Sequence, residues 1–269
     1  MTQPTPEKPD LAQFVPFSAR LMAAMRAKET ARPDRLFNDP FAVQLAGEEA
    51  FAYIEESLKG QDRAYVAVRT RFFDDFLLDG AQNAHQIVIL ASGMDTRAYR
   101  IPWSSGTKIY ELEQAEVLET KTAILQDAIP TCEHFSIAAD LTQPWSHLLL
   151  ESGYQPNLPS VWLIEGLLMY LTESEVRQLL QTISGLTVVS SYLGLDLVNV
   201  SSMEYEPYKG YFRSGFDYPE ELLAECGWRA EVFQPGDEEA YFGRYTDKLP
   251  PRDVAGVQRA FLVKADKTA

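Results

Sequence analysis

An apolar run that breaks at a glycine, Gln86-Ile-Val-Ile-Leu-Ala-Ser-Gly-Met-Asp-Thr-Arg97, is followed by a second run that ends in acids, Lys108-Ile-Tyr-Glu-Leu-Glu113. In a doubly wound α/β domain a ligand lies across the carboxyl edge of the sheet. The first strand there supplies a tight turn, and the next supplies a carboxylate for the hydroxyl pair of a ribose. Gly93 and Glu113 occupy those two places. Glu111 and Glu113 are expected to leave opposite faces of that strand, so at most one faces a ligand, and Glu113, at the strand end, is the better placed. The turn holds one glycine where a dinucleotide fingerprint needs three, so close approach of a pyrophosphate is disfavoured and a nucleoside without phosphates fits better.

Two further acids end strand-like runs. Asp140, in Ala138-Ala-Asp-Leu141, is placed either to accept from an exocyclic amine such as that of adenine or to cap a helix. Glu165, in Trp162-Leu-Ile-Glu-Gly-Leu-Leu-Met-Tyr-Leu171, closes an apolar, buried strand, where a carboxylate is costly unless it is paired. A ligand ammonium group would be a natural partner. Arg69 and Arg71 precede the first strand on a helix and point in different directions. One is free to reach a ligand carboxylate while the other meets Asp74 or Asp75. Tyr205-Glu-Pro-Tyr-Lys209 has the Tyr-x-x-x-Lys spacing of short-chain dehydrogenases, but Pro207 argues against the helix that motif requires. Cys132, Cys226, His85, His134 and His147 do not cluster at metal-ligand spacing, so no metal is expected.

The elements that position these residues follow from periodicity. Helices are expected over Leu11–Thr30 (one or a pair), Phe41–Leu58 and Asp62–Leu78. Strands and helices then alternate: strand 86–91, strand 107–112, helix 114–127, strand 134–139, helix 144–151, strand 160–165, helix 173–184, strand 187–198. A helix over Tyr218–Gly227 and strands near Arg229–Phe233 and Arg259–Val263 complete the pattern. Such alternation implies right-handed crossovers and a mostly parallel sheet. The reading is a tail at 1–10 and one domain over 11–269, with a helical cap at 11–80 and an α/β core at 86–269.

The chain has 269 residues, 46% of them hydrophobic, and a formal charge of −15. That charge argues against nucleic acid or an anionic membrane as the main partner, since both would be repelled. Two cysteines make no disulfide framework, and the first nine residues hold three prolines without an apolar stretch. A cytoplasmic protein is expected.

With these residues in place, the chain resembles the leucine carboxyl methyltransferase family of class I S-adenosylmethionine-dependent methyltransferases, including its bacterial branch associated with polyketide O-methylation. The matching pieces are Arg69-Thr-Arg-Phe-Phe-Asp-Asp75, Ile87 to Arg100, Tyr110-Glu-Leu-Glu113, Ala139-Asp-Leu141 and Glu165 to Leu171, with Gly227-Trp228 near the end. The resemblance implies a Rossmann-like sheet of seven strands, the last antiparallel, with N-terminal helices over the active site. It implies S-adenosyl-L-methionine as cofactor. Arg69 would hold the methionine carboxylate, Gly93 would pass the methionine moiety, and Glu113 would hold the ribose. Asp140 and Leu141 would meet the adenine, Glu165 would lie near the methionine amine, and Arg20 would make a further basic contact. The chain departs from the family in having Ala91-Ser92-Gly93 for Gly-Ala-Gly and Glu113 for aspartate. Ala and Ser are expected to serve if their φ is negative.

Methyl transfer from a sulfonium needs little beyond in-line positioning and exclusion of water. A carboxylate acceptor needs no general base at neutral pH, whereas an alcohol does. None of the histidines is expected at the carboxyl edge. The acceptor is therefore expected to be a carboxylate or an acidic hydroxyl of a small molecule, with Tyr170, Tyr192 and Asp196 as the candidate bases. Acceptor contacts are expected from the N-terminal helices and the aromatic segment 203–218. The competing readings are a non-catalytic protein on a degenerate methyltransferase fold and, more remotely, an NAD-dependent oxidoreductase.

Overall fold

The computed structural model describes residues 11–58, 64–205 and 208–268. The expected tail at 1–10 and the middle of the Tyr205–Lys209 segment lie outside them. Three helices come first: α1 (Leu11–Thr30), α2 (Ala42–Leu58), which kinks at Gly47, and α3 (Tyr65–Gly80). Seven strands follow: β1 (Gln86–Leu90), β2 (Lys108–Glu113), β3 (Glu133–Ala138), β4 (Ser160–Ile164), β5 (Tyr192–Val198), β6 (Trp228–Phe233) and β7 (Ala260–Lys267). The connections carry α4 (Arg97–Arg100), α5 (Ala115–Ile124), α6 (Ser146–Glu151), α7 (Glu173–Gly185) and α8 (Pro219–Ala224).

All seven strands form one sheet in the order β3-β2-β1-β4-β5-β7-β6. The first five pair in parallel, and β7 runs antiparallel to both β5 and β6. Strand order reverses between β1 and β4, so the loops after these two strands diverge and leave a crevice at the carboxyl edge. Every residue of β1 and β4 is buried, as expected for central parallel strands covered on both faces.

Two apolar layers cover the sheet. Phe72, Phe73, Phe76 and Leu77 of α3 pack with Ile87, Ile89 and Val161, while Leu149 of α6, Leu223 of α8 and the stripe Val176, Leu179, Leu180, Ile183 of α7 pack with Val88, Trp162 and Leu195. That stripe has the i, i+3, i+4, i+7 spacing of one helix face. Truncating one of its leucines to alanine would cost about 2–5 kcal/mol. A third cluster joins Leu21, Ala23 and Ala24 of α1 and Leu45 of α2 to Met94 and Val117. The N-terminal helices therefore roof the carboxyl edge, as the family resemblance implies.

Several boundaries differ from expectation for local reasons. The expected strand 187–198 begins only at Tyr192, because α7 runs to Gly185 and Ser190 sits at φ 72°, turning the chain into β5. Strand 86–91 stops at Leu90, since Ala91 takes φ 49°. The last strand runs past Val263 to Lys267, held by pairing on both sides.

Candidate active site

A cavity of about 490 Å³ opens at the carboxyl edge, within the usual range for small-molecule sites. Its lining includes Arg69, Gly93, Glu113, Asp140, Leu141 and Glu165, six positions brought together from α3 and from the ends of β1, β2, β3 and β4. Arg20 is not among them. Ala19, Met22 and Arg26 line the cavity at a spacing of three and four residues, one face of α1, and Arg20 is turned away from that face. Its guanidinium faces α2, where a Cβ on Gly47 would lie 3.9 Å from Nη1.

The turn after β1 is built by backbone conformation. Ala91 and Gly93 both have positive φ, 49° and 48°. The condition of a negative φ is not met at Ala91: a left-handed alanine costs about 1–2 kcal/mol where glycine would sit freely. At Gly93 a Cβ would come within 3.1 Å of the Ala19 Cβ, so the bare backbone lets α1 close over the turn.

Glu113 completes the turn from the neighbouring strand. Its Oε2 accepts from the Gly93 amide at 2.8 Å, and its Oε1 accepts from the Gln114 amide at 2.7 Å. A carboxylate has about four acceptor positions, so each oxygen keeps one for a hydroxyl. Burial raises its pKa above the ordinary glutamate value, against the pull of those two amides. The expectation of opposite faces is corrected here: Glu111 leaves the same face of β2 as Glu113, since residues two apart on a strand share a face. It serves a different purpose: its Oε2 pairs with Lys121 Nζ at 2.5 Å and lies 3.3 Å from His134 Nε2.

Asp140 Oδ1 accepts from Thr142 N and Thr142 Oγ1, forming a turn of its own. The alternative of a helix cap fails, because α6 starts only at Ser146. Leu141 follows it along the cavity wall.

Glu165 bridges two arginines, with Oε1 2.9 Å from Arg69 Nε and Oε2 2.9 Å from Arg97 Nη1. Arg69 Nη1 also donates to Asp196 at 2.8 Å, and Arg97 pairs with Asp95 and, at 2.7 Å, with Asp74. Arg100 holds Asp74 through two further bonds of 2.6 and 2.7 Å. Arg71 turns away and pairs with Asp75 at 2.9 Å. Burial acts to raise the pKa of Asp74 and Asp95, but the neighbouring arginines outweigh it and hold both below the usual carboxylate range. The network thus sets four carboxylates against three guanidinium groups and is net negative.

Of the three candidate bases, only Tyr170 lines the cavity. Burial pushes its hydroxyl well above the normal tyrosine pKa, so it stays protonated at neutral pH. Tyr192 lies at the start of β5, the edge opposite the site. Asp196 is fully buried and accepts from Tyr65 Oη, Arg69 Nη1 and Gly166 N, which leaves it no route to an acceptor. No histidine lines the cavity among the described residues. Burial, first among its causes, pushes the Cys132 thiol up to about 12, so it is no nucleophile. Among the described residues no group of three or more potential metal ligands occurs, and no helix is long and apolar enough to cross a membrane.

Sequence reasoning passed over Arg26, Arg97 and Arg213, which also line the cavity. Arg97 stood inside the turn motif, and the face spacing of α1 marks Arg26. Arg213 lies in the segment 203–218, from which acceptor contacts are expected, but its aromatic neighbours, not the arginine, carry that expectation.

The chain is similar to known proteins in sequence and in fold. The model of the leucine carboxyl methyltransferase family matches residues 19–184. A Parafrankia sp. (strain EAN1pec) protein is 39% identical over 192 residues, 66% of this chain and 62% of that protein. A Mycobacterium sp. (strain KMS) protein is 35% identical over 268 residues, 87% of this chain and 90% of its own length. Both are named provisionally as S-adenosyl-L-methionine-dependent methyltransferases. The fold is similar to that of a DUF574 family protein from Streptomyces avermitilis, with a TM-score of 0.63, 14% identity, and 93% and 97% of the two chains covered. On the match over more than half its length, the chain belongs to the leucine carboxyl methyltransferase family.

Proposed function

We propose that this protein is an S-adenosylmethionine-dependent O-methyltransferase that acts on a carboxylate or an acidic hydroxyl of a small molecule, such as a polyketide-type metabolite. The observation that carries the reading is the convergence of Glu113, Asp140, Glu165 and Arg69 on one roofed cavity at the switch point of the sheet.

The lining fits such a cofactor on independent grounds. Three buried polar atoms of the wall, Arg69 Nε, Thr70 Oγ1 and Ser92 Oγ, have no hydrogen-bond partner; the Arg69 Nε contact with Glu165 is close but outside hydrogen-bond geometry. Such orphans are rare in folded proteins unless a ligand or water satisfies them. The net negative network around Glu165 complements a ligand of net positive charge. Glu113 has one acceptor position per oxygen for a ribose diol, and Asp140 and Leu141 offer an acceptor and an apolar edge for an adenine. Arg69 and Glu165 are placed to meet the carboxylate and the amine of the methionine end.

When bound, S-adenosylmethionine supplies a methyl group on an already activated sulfur. The protein's part is then to orient the acceptor and keep water out, through the roof of α1 and α2. Every acid of the lining is engaged: Glu113 by amides, Glu165 and Asp95 by arginines, Asp140 by Thr142. Tyr170 keeps its proton. An acceptor that arrives already ionised needs none of them as a base, which favours a carboxylate or an acidic hydroxyl over an alcohol.

The test is incubation with S-adenosylmethionine and a panel of small carboxylic acids, phenols and alcohols, read by mass spectrometry. Acids or acidic phenols should gain one methyl, at a rate nearly flat between about pH 6 and 8. Transfer to an alcohol with an essential base near neutrality would contradict the reading.

A further inference from the structure

Five arginine side chains line the cavity among the described residues, and four are committed to carboxylates. Arg26 holds Asp39 at 2.8 Å, Arg69 holds Asp196 at 2.8 Å, and Arg97 and Arg100 hold Asp74 at 2.7 and 2.6 Å. Arg213 is the exception. Its Nη1 lies 3.4 Å from Glu175 Oε2, and its side chain is 41% exposed. That oxygen already accepts from Thr172 N at 2.6 Å and from Thr172 Oγ1 at 2.7 Å, in the capping box that starts α7. Glu175 is a helix cap first, and the long contact leaves the guanidinium donors of Arg213 available.

The backbone fixes where this cation stands. Arg213 N donates to Met169 O at 2.7 Å, and Ser214 Oγ donates to Leu168 O at 3.1 Å, which ties the segment to the short turn Leu168–Tyr170. The cavity lining also includes the apolar Leu167 and Leu171, which flank that turn, and Pro16 of α1. None of these groups is needed for the ribose, adenine or methionine contacts assigned above. A half-exposed cation in a partly apolar cavity fits a ligand with an apolar body and a carboxylate, one oxygen of which a guanidinium can hold by a charge-assisted hydrogen bond.

We propose that Arg213 anchors the methyl acceptor, and that the acceptor is a carboxylic acid with an apolar body, bound as its carboxylate. The proposal rests on the methyltransferase reading. Arg213 holds one carboxylate oxygen and leaves the other to attack. The new bond joins that oxygen to the methyl carbon, the carbon–sulfur bond breaks, and sulfur keeps the electron pair. No proton moves.

The experiment is calorimetric titration of phenylacetate and of phenylacetamide, its neutral isostere, into the protein saturated with S-adenosylhomocysteine. In the wild type the acid should bind about tenfold more tightly than the amide, the range of one charge-assisted contact. High salt should shrink that preference, as for any partly exposed pair. Arg213→Gln should abolish it and Arg213→Lys should restore part of it. Both variants should bind S-adenosylhomocysteine within about twofold of wild type, a difference small on the free-energy scale. Equal binding of acid and amide, binding of neither, or a preference that survives in Arg213→Gln would overturn the proposal alone. Failure of S-adenosylhomocysteine to bind the wild type would overturn the cofactor reading and this proposal with it.

Discussion

The two walls of the cavity are built on opposite plans. On the wall formed by α3, the turn after β1 and the end of β4, every charge is locked: Arg69, Arg97 and Arg100 interlace with Asp74, Asp95, Glu165 and Asp196 at distances of 2.9 Å or less. On the wall formed by the Leu168–Tyr170 turn and Arg213, the cation is half-exposed and its acid partner is already held elsewhere. A locked wall presents a fixed electrostatic pattern to a ligand that never changes, and an open one leaves room for selection among ligands. Preorganised charge of the first kind couples binding to folding, because removing either member strands the other in a low dielectric.

The sharpest way to break this contrast is to remove one arginine from each wall. Arg69→Ala leaves buried Asp196 without its cation and Glu165 with Arg97 alone, and should cost about 3–5 kcal/mol of stability. Arg213→Ala should change it by less than about 0.5 kcal/mol. Urea denaturation of both variants checks this, and similar losses would erase the distinction.

Acid should expose the same asymmetry. Asp74 and Asp95 have folded pKa values below the ordinary 3.8, Asp95 at about 2. Their stabilising contribution is therefore fully present above about pH 4 and is lost as pH falls through the folded values. For Asp95 the loss is on the order of 2 kcal/mol. Glu113 has the opposite sign: its folded pKa is raised, so its burial in ionised form costs stability above that pKa and the cost disappears in acid. Urea midpoints measured from pH 6 down to pH 2 should fall mainly below pH 4 in the wild type, and less steeply in a variant that lacks the locked pairs.

The smallest effect concerns the turn between the walls. Ala91 at φ 49° carries strain that glycine would not, so Ala91→Gly should stabilise the protein by about 1 kcal/mol, read as a rise in thermal midpoint. A fall would mean that the alanine methyl is needed for packing.

Most of this was legible in the chain where a residue's role follows from its place on a strand or a helix face. The ends of β1 to β4 were marked by the switch from apolar runs to Gly93, Glu113, Asp140 and Glu165, and the cavity gathers all four. Arg20 was misplaced because a basic residue in a helix was assigned without its face; Ala19, Met22 and Arg26 define the face that matters. Asp196 stood among the candidate bases, yet it is engaged by Tyr65, Arg69 and Gly166, partners that come from distant parts of the chain. The fitness of Ala91 for the turn depended on the sign of its φ, which a sequence does not show. Arg213 stood in the segment 203–218 expected to contact the acceptor, but was not singled out, because its position depends on backbone bonds to the Leu168–Tyr170 turn.

The central claim, that Glu113 and the turn at Gly93 hold the ribose of a sulfur-bearing nucleoside, is tested most directly by calorimetric titration of S-adenosylhomocysteine into the wild type and into Glu113→Gln. The account predicts saturable binding by the wild type and a loss of at least about tenfold in the variant, with the fold intact by circular dichroism. Equal affinity in the two proteins, or no binding by the wild type, would contradict it.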